Sequence, residues 1–295
     1  MMQMFNKLMS LINGIIGVLI KIACYVGLIR PHYVIGNVHN TKSTDRKVII
    51  SLTSYGRRVG SVLQYTLMSL FRQTIKPDLI ILWLDYDNWN INNIPASIKR
   101  FQDLGVQIRF CEDIRSYKKL IPTLDNYPDD LIITCDDDIF YKSTMVEHLL
   151  TEYKKDPTKI YAHRGHRITY NSHGDLNPYH MWEMEITSGY GYDILPTCGA
   201  GCLYSKDLLF RDICNKELFT MLSPQADDLW FYFMAYLQNT PIYIIPNKGF
   251  TYIEIDFFYQ RFHKNSSLFS TNVGEAHNDT QLRNIVSYYG IESFK

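Results

Sequence analysis

Asp130-Leu131-Ile132-Ile133-Thr134-Cys135-Asp136-Asp137-Asp138 is the stretch on which the reading of this chain turns. Its first six residues form a short, nearly uninterrupted apolar run, the pattern of a strand buried on both faces. Three adjacent carboxylates follow directly. Working outward, the same pattern recurs at 47–53, 79–84 and 106–110. Between these runs the apolar spacing lengthens to that of helices. Leu63, Leu67, Leu70 and Phe71 mark the inner face of a helix ending near Thr74, before Pro77. Further helices are expected at about 94–104, capped by Gly105, and at 116–125. Four strands separated by helices predict an α/β fold: a mostly parallel sheet with right-handed crossovers, flanked by helices. Ligands in such sheets sit beyond the C-terminal strand ends. That rule gathers residues 53–58, 85–87, 111–113 and 136–138.

The chemistry of those ends narrows the function. Three neighbouring carboxylates repel one another unless a cation neutralises them. In extended chain Asp136 and Asp138 alternate with Asp137, so both can address one site. Hard oxygen ligands suit Mg²⁺ or Mn²⁺, which keep waters and take phosphate oxygens as further ligands. The plain alternative is a solvated acidic turn. A phosphohydrolase with an Asp-x-Asp nucleophile is a second alternative. It expects Thr or Val two places after the second Asp, where this chain has Phe140. A second acidic pair, Asp227-Asp228, opens the apolar segment Leu229-Trp230-Phe231. It suits a helix N-terminus, where it either caps or serves as a general base.

The rest of the chain fills in around these features. Residues 160–202 are rich in Gly, His, Tyr and Pro and read as strands and loops building a second binding wall. Residues 226–237 read as a helix with Trp230, Phe233 and Met234 inward, 242–245 as a strand and 278–288 as a helix. Lys plus Arg (30) equals Asp plus Glu (30) in 295 residues, so no global pull toward nucleic acid is present. The 22 tyrosines offer flat apolar faces with polar tips, which suit sugars and nucleobases. Six cysteines lack the spacing of a disulfide framework and fit a reducing, cytoplasmic compartment. Cys198 and Cys202 flank Gly-Ala-Gly, with no second Cys or His pair at zinc-finger spacing.

Residues 4–29 are apolar but interrupted by Lys21, and a comfortable span needs about 20 apolar residues. Lys7, Ser10, Gly14, Gly17 and Lys21 fall on one helical stripe; Leu8, Leu11, Ile12, Ile15, Leu19, Ile22 and Ala23 fall on the other side. This predicts an amphipathic helix lying in a membrane surface, ended by Arg30 and Pro31. A tilted transmembrane anchor and a helix packed on the domain itself are the alternatives. The expected organisation is therefore an N-terminal membrane-associated helix (1–30), a linker (31–46, polar from 35 on), and one domain (47–295). Within it, 47–140 would bind the donor and 141–295 the acceptor.

Taken in order, several motifs resemble a bacterial family of GT-A glycosyltransferases of capsule, lipopolysaccharide and surface-glycan assembly. They are Ile50-Ser51-Leu52-Thr53-Ser54-Tyr55 with Arg57-Arg58, Gln73-Thr74-x-x-Pro77, Ile81-Leu82-Trp83-Leu84, and Ser116-Tyr117-Lys118-Lys119-Leu120-Ile121-Pro122. The triple Asp follows, then His163-Arg164-x-His166-Arg167, Gly199-x-Gly201, Ala226-Asp227-Asp228-x-Trp230-Phe231 and Asn278-Asp279-x-Gln281. The likeness spans roughly 47–285 and is weaker to the wider inverting, family-2-like group. There an acidic pair on a later helix supplies the base, the place Asp227-Asp228 occupies.

The resemblance implies a Rossmann-like GT-A sheet and transfer of a single sugar from a UDP- or GDP-sugar to a glycan or lipid-linked acceptor, with inversion. It implies Mn²⁺ or Mg²⁺ on Asp138 and Asp136, with His263 a further candidate ligand. Lys118 or Lys119 and Arg57 would add positive charge at the diphosphate. Thr53, Tyr55 and Asp85 are candidates for base and ribose, and Asp137 for ribose or donor sugar. Asp228 or Asp227 would activate the acceptor hydroxyl. His163, His166, His173 and His180 read as hydrogen-bonding or loop residues, Arg164 and Arg167 as phosphate or loop anchors. Gly199 and Gly201 permit close backbone approach. The expected location is the cytoplasmic face of the inner membrane, peripheral or singly anchored. A metal-dependent phosphohydrolase and a non-catalytic membrane-bound binding module are the competing functions.

Overall fold

The computed structural model describes residues 2–35, 45–246, 252–263 and 277–291, with side chains from Ser10 on. The four apolar runs form β1 (Val48–Thr53), β2 (Leu79–Asp85), β3 (Val106–Cys111) and β4 (Leu131–Cys135). All four are parallel neighbours in the order β3-β2-β1-β4. The chain runs outward from β1 to β3, then returns to the other side of β1. The switch point between β1 and β4 is where this architecture opens a crevice.

The connecting helices are shorter than their apolar spacing predicts. Arg57–Ser61 (α2) and Leu63–Leu70 (α3) follow β1. α3 stops at Leu70 rather than near Thr74 because Gln73 is held elsewhere. Its amide donates to Ser69 O and Lys142 O, and its oxygen accepts from Val146 N–H. The expected helix at 94–104 is only Ala96–Lys99 (α4). The chain then continues as tight turns, with Leu104 N–H donating to Phe101 O and Gly105 N–H to Gln102 O. Gly105 has φ +100°, and a Cβ there would lie 2.7 Å from Ile35 Cβ, so this turn requires glycine. The segment 116–125 splits into a 3-10 turn, Arg115–Lys119, and α5, Ile121–Asn126.

After β4 come β5 (Ile139–Tyr141), α6 (Met145–Lys155), β6 (Ile160–Ala162), β7 (Gly165–Arg167), β8 (Glu183–Ile186), β9 (Gly189–Gly191), β10 (Ile194–Pro196) and β11 (Cys202–Tyr204). The expected strand-and-loop wall is thus present. β11 runs antiparallel between β4 and β6, and extends the sheet. Helices α7 (Lys216–Leu222) and α8 (Asp227–Leu237) precede β12 (Ile242–Ile244); β13 (Tyr252–Glu254) pairs with β5, and α9 (Phe257–Phe262) and α10 (His277–Tyr289) follow. Among the described residues the main sheet has eight strands, ordered β3-β2-β1-β4-β11-β6-β12-β9. The architecture is α/β, with a mostly parallel central sheet flanked by helices.

Ile50 and Leu52 of β1 pack with Leu63, Leu67, Leu70 and Phe71 on one side of the sheet. Each such fully buried side chain contributes about 1.5–3 kcal/mol. On the other side lies the cluster around Trp230, Phe231 and Phe233. Leu229 through Ala235 are all buried, so α8 runs through the interior rather than along a face. That burial holds its N-terminal carboxylates rigidly.

The N-terminal helix is α1, Met2–Tyr25. No helix among the described residues is long and apolar enough to cross a membrane. α1 lies on β13 and α9 through its small-residue stripe. A Cβ on Gly14 would come within 2.3 Å of the Phe257 ring, and one on Gly17 within 2.7 Å of Glu254 O. Asn13 Oδ1 accepts from Glu254 N–H at 3.2 Å. The stripe expected to face away from a membrane is therefore the one spent on the domain; the side chains of Lys7 and Leu8 lie outside the described residues. Of the expected linker, 36–44 also lie outside them. Its start sits on the domain, with His32 N–H on Phe71 O and the Tyr33 hydroxyl on Leu70 O.

Candidate functional site

β1 and β4 end side by side, and their ends carry the site. Asp137 turns inward at this seam. It is 4% exposed and accepts from Ser54 Oγ at 2.5 Å and Arg58 Nη1 at 2.8 Å. Thr66 Oγ1 donates to its carbonyl. Asp137, expected at ribose or donor sugar, here has its carboxylate engaged in joining β4 to the loop after β1.

Asp138 shares Arg58 with Asp137, and Asp136 goes elsewhere. Asp138 accepts from Gln260 Nε2 of α9 at 2.6 Å and pairs with Arg58 Nη2 at 3.1 Å. Its carbonyl accepts from Ile255 N–H. Asp136 crosses over Gly199, where a Cβ would fall 1.6 Å from Asp136 Oδ2. The Asp136 carboxylate meets Lys119 Nζ at 2.7 Å, and the same ammonium lies 3.2 Å from Asp227 Oδ2. The acidic trio and the acidic pair thus face each other across one buried lysine. Asp227 Oδ2 is buried without a directed hydrogen bond, so the ion pair is its main neutralising contact. Asp228 is half-buried and accepts from Cys198 N–H at 3.0 Å.

The 3-10 turn sends its two lysines apart. Lys118 pairs with Asp113 and lies 4.0 Å from Asp85 Oδ2, tying together the ends of β2 and β3. Asp85, 2% exposed, accepts from Asn88 N–H and Nδ2, and so is occupied in shaping that turn. Thr53 Oγ1 donates to Trp83 O. Tyr55 is exposed, with the Arg58 guanidinium 5.3 Å from its ring centroid. It is the expected base or ribose contact left most open.

Arg57 does not reach the trio. It pairs with Asp256 and lies 3.1 Å from the Tyr259 ring centroid. His263 stacks on the other end of this arrangement, its ring 4.0 Å from that of Tyr259, and is exposed. Among the described residues no three His, Cys, Asp or Glu side chains come together as a preformed cation site, and His263, expected as a further ligand beside Asp136 and Asp138, is engaged with Tyr259. Arg164, from the turn between β6 and β7, hydrogen-bonds Thr197 Oγ1 and the Tyr252 hydroxyl, and adds positive field at Asp136.

The charges are out of balance. Asp136, Asp137, Asp138, Asp227 and Asp256 share three ion-pairing cations, Arg57, Arg58 and Lys119. Burial pushes the Asp138 carboxyl up to about 7; Arg58 opposes this, while Asp137, Asp136 and Asp256 add to it. Burial likewise raises Asp227 to about 6 against the pull of Lys119, helped by Asp228 and Asp136. For Lys119, burial disfavours the charge, but Asp136, Asp227 and Asp228 outweigh it and hold the ammonium well above its ordinary range. Asp136 is the reverse case: burial opposes ionisation, and Lys119 overcomes it and lowers the carboxyl.

That imbalance suits a divalent cation. A preformed cage is absent among the described residues, but the donor chemistry suits one: hard oxygens, with negative charge in excess at Asp138. Such an ion would take Asp138, with Asp136 beside it, in place of contacts now made by Arg58 and Gln260.

Asp256 and Gln260 carry no local sequence signal, since they reach the trio only because β13 pairs with β5. Gln281 matters for a different reason. Its Oε1 accepts from Gln225 N–H at 2.8 Å and Ala226 N–H at 3.1 Å, fixing the approach to Asp227.

No family model and no curated protein sequence matches the chain. Among solved structures it is similar to a CMP-2-keto-3-deoxy-manno-octonic acid synthetase complexed with CTP, at 12% identity and TM-score 0.42, covering 70% of this chain and 93% of that one. It is also similar to S. aureus TarS 1–349 in complex with UDP, at 12% identity and TM-score 0.45, covering 83% and 72%. A 4-diphosphocytidyl-2C-methyl-D-erythritol synthase matches at 12% identity and TM-score 0.43, covering 74% and 98%. Likeness at this level is one of general α/β layout.

Proposed function

We propose that the chain is a glycosyltransferase that moves one sugar from a nucleoside-diphosphate donor to a glycan or lipid-linked acceptor hydroxyl, with inversion. The observation that carries this reading is the Lys119 ammonium between Asp136 and Asp227. It brings a charged end of the parallel sheet within one side chain of a carboxylate pair on a rigid helix.

The chain's own residues divide the work. Tyr55 offers an open ring beside Arg58 for the nucleobase or ribose. Arg58, Lys119 and Arg164 set a positive field over the acids, which meets the leaving diphosphate. A bound Mn²⁺ or Mg²⁺ on Asp138 and Asp136 would supply further Lewis-acid charge to that leaving group. Asp228, more open than Asp227 and anchored through one oxygen on Cys198 N–H, takes the acceptor proton as the hydroxyl attacks. Asp227 positions Lys119. The buried α8 keeps both carboxylates from drifting.

The test is a mass-spectrometric screen of UDP- and GDP-sugars with lipid-linked and free glycan acceptors. Transfer that depends on acceptor supports the proposal, and Asp228→Asn should lower kcat by about 10²–10⁴-fold while donor affinity holds. Release of free phosphate from simple phosphate esters, undiminished in Asp228→Asn, would make the chain a phosphohydrolase instead.

A further inference from the structure

α1 has two faces, and among the described residues only one is occupied. The face bearing Asn13, Gly14 and Gly17 is pressed onto β13 and α9, and Lys21 turns the same way, toward Asp256 and the Tyr65 ring. Leu11, Ile15, Leu19, Ile22, Val26 and Leu28 project outward and are 45–80% exposed. They recur at helical spacing and continue past the helix end, so they form one stripe rather than scattered exposures.

The charges in the segment that carries the stripe are of one sign. No Asp or Glu occurs before Asp45, while Lys7, Lys21 and Arg30 do, in a chain of zero net charge. The domain adds to this edge. Arg72 Nη1 donates to Arg30 O, and both Arg72 and exposed Arg100 act on Cys24 near the end of α1.

We propose that α1 docks the protein on an anionic lipid surface, lying in the plane of the headgroups with its apolar stripe down. An apolar stripe in a segment whose only charged side chains are cationic complements a bilayer with acidic headgroups. The tight contacts of Gly14 and Gly17 hold the helix against the domain, so it lies along the surface and does not thread through it. α9 rests on α1 and carries Gln260 to Asp138, so docking sets the acidic trio roughly one helix diameter, about 10 Å, above the lipid. The surface stands on α1 alone and holds whether or not the site transfers sugars.

The test is co-sedimentation of the full chain with vesicles of mixed phosphatidylglycerol and phosphatidylcholine, against pure phosphatidylcholine. The protein should pellet with the acidic vesicles, more weakly at high salt. The triple variant Ile15→Ser/Leu19→Ser/Ile22→Ser should lose about tenfold or more in partitioning, with an unchanged melting curve. Leu19→Trp should show blue-shifted emission on adding acidic vesicles, a readout independent of how the triple variant folds. Protein left in the supernatant, equal pelleting of the triple variant, or no spectral shift would overturn the proposal. So would a lipid-free dimer that the triple variant dissolves, since the stripe would then belong to a second copy. A failure here leaves the sugar-transfer assay untouched.

Discussion

Lys119→Met removes the charge on which the site's arrangement depends and keeps most of the side chain's bulk. At 2.7 Å and 3.2 Å the ammonium attracts Asp136 and Asp227, each by about 5–6 kcal/mol at an effective dielectric near 20, before desolvation is counted. Much of that is offset by burying the charges, and deleting one partner of a buried pair costs about 3–5 kcal/mol. The carboxylates have an escape, which is to protonate. For a carboxyl of ordinary pKa near 3.9, protonation costs about 5–6 kcal/mol at pH 8 but only about 2 kcal/mol at pH 5.5. The deficit of Lys119→Met should therefore be about 3–5 kcal/mol at pH 8 and at most about 2 kcal/mol at pH 5.5. At an unfolding entropy of about 0.6 kcal/mol/K for this length, that is roughly 5–8 °C against about 3 °C. Thermal melts of both proteins by circular dichroism at the two pH values measure it. Equal melting at pH 8, or a deficit as large at pH 5.5 as at pH 8, would refute the bridging role.

Other expectations follow from the same contacts. Asp138 and Asp227 hold protons in the folded chain at pH values where the unfolded chain has released them. Stability of the metal-free protein should thus fall as pH rises from about 6.5 to 8, by on the order of 1 kcal/mol, while at lower pH the buried His163 and His166, both pushed down to about 4 by burial, act in the opposite direction; flat urea midpoints above pH 6.5 would contradict the raised carboxyls. Gly199→Ala drives a methyl into Asp136 and should cost about 1–3 kcal/mol and at least about tenfold in turnover; wild-type kinetics would show that Asp136 is free to move without consequence. Gln281→Leu strands the Gln225 and Ala226 amides and should lower stability by about 1–3 kcal/mol, seen as an earlier urea midpoint.

The four parallel strands were legible because each is buried on both faces and so reads as an unbroken apolar run. Their C-terminal ends then pointed to the candidate site, where the structure gathers Asp136, Asp137 and Asp138 with Arg58 and Lys119. The helices were less legible: at 94–104 the apolar spacing continues, but the backbone tightens into turns to let Ile35 lie against Gly105. Alternation along extended chain did not foretell the contacts of the trio, because a turn begins there: Asp137 and Asp138 share Arg58, whereas Asp136 meets Lys119. Asp137 faces inward because Ser54 and Arg58, some eighty residues earlier, wait at the neighbouring strand end. Arg57, expected at the diphosphate, is drawn away by Asp256. The two lysines of the 3-10 turn read as equivalent in sequence, yet the turn commits Lys118 to Asp85 and Asp113 and Lys119 to Asp136 and Asp227. α1 shows the same limit: two stripes were visible, but which one the domain would claim depended on Phe257 and Glu254 near the other end of the chain.

Isothermal titration of UDP and GDP into the wild-type protein and Asp138→Asn, with and without Mn²⁺, bears most directly on the site. One of the two nucleotides should bind saturably to the wild type, about tenfold or more tightly with Mn²⁺ present, and that gain should vanish in Asp138→Asn. Neither nucleotide binding at millimolar concentration, or binding indifferent to both Mn²⁺ and Asp138, would contradict a diphosphate seat at these strand ends.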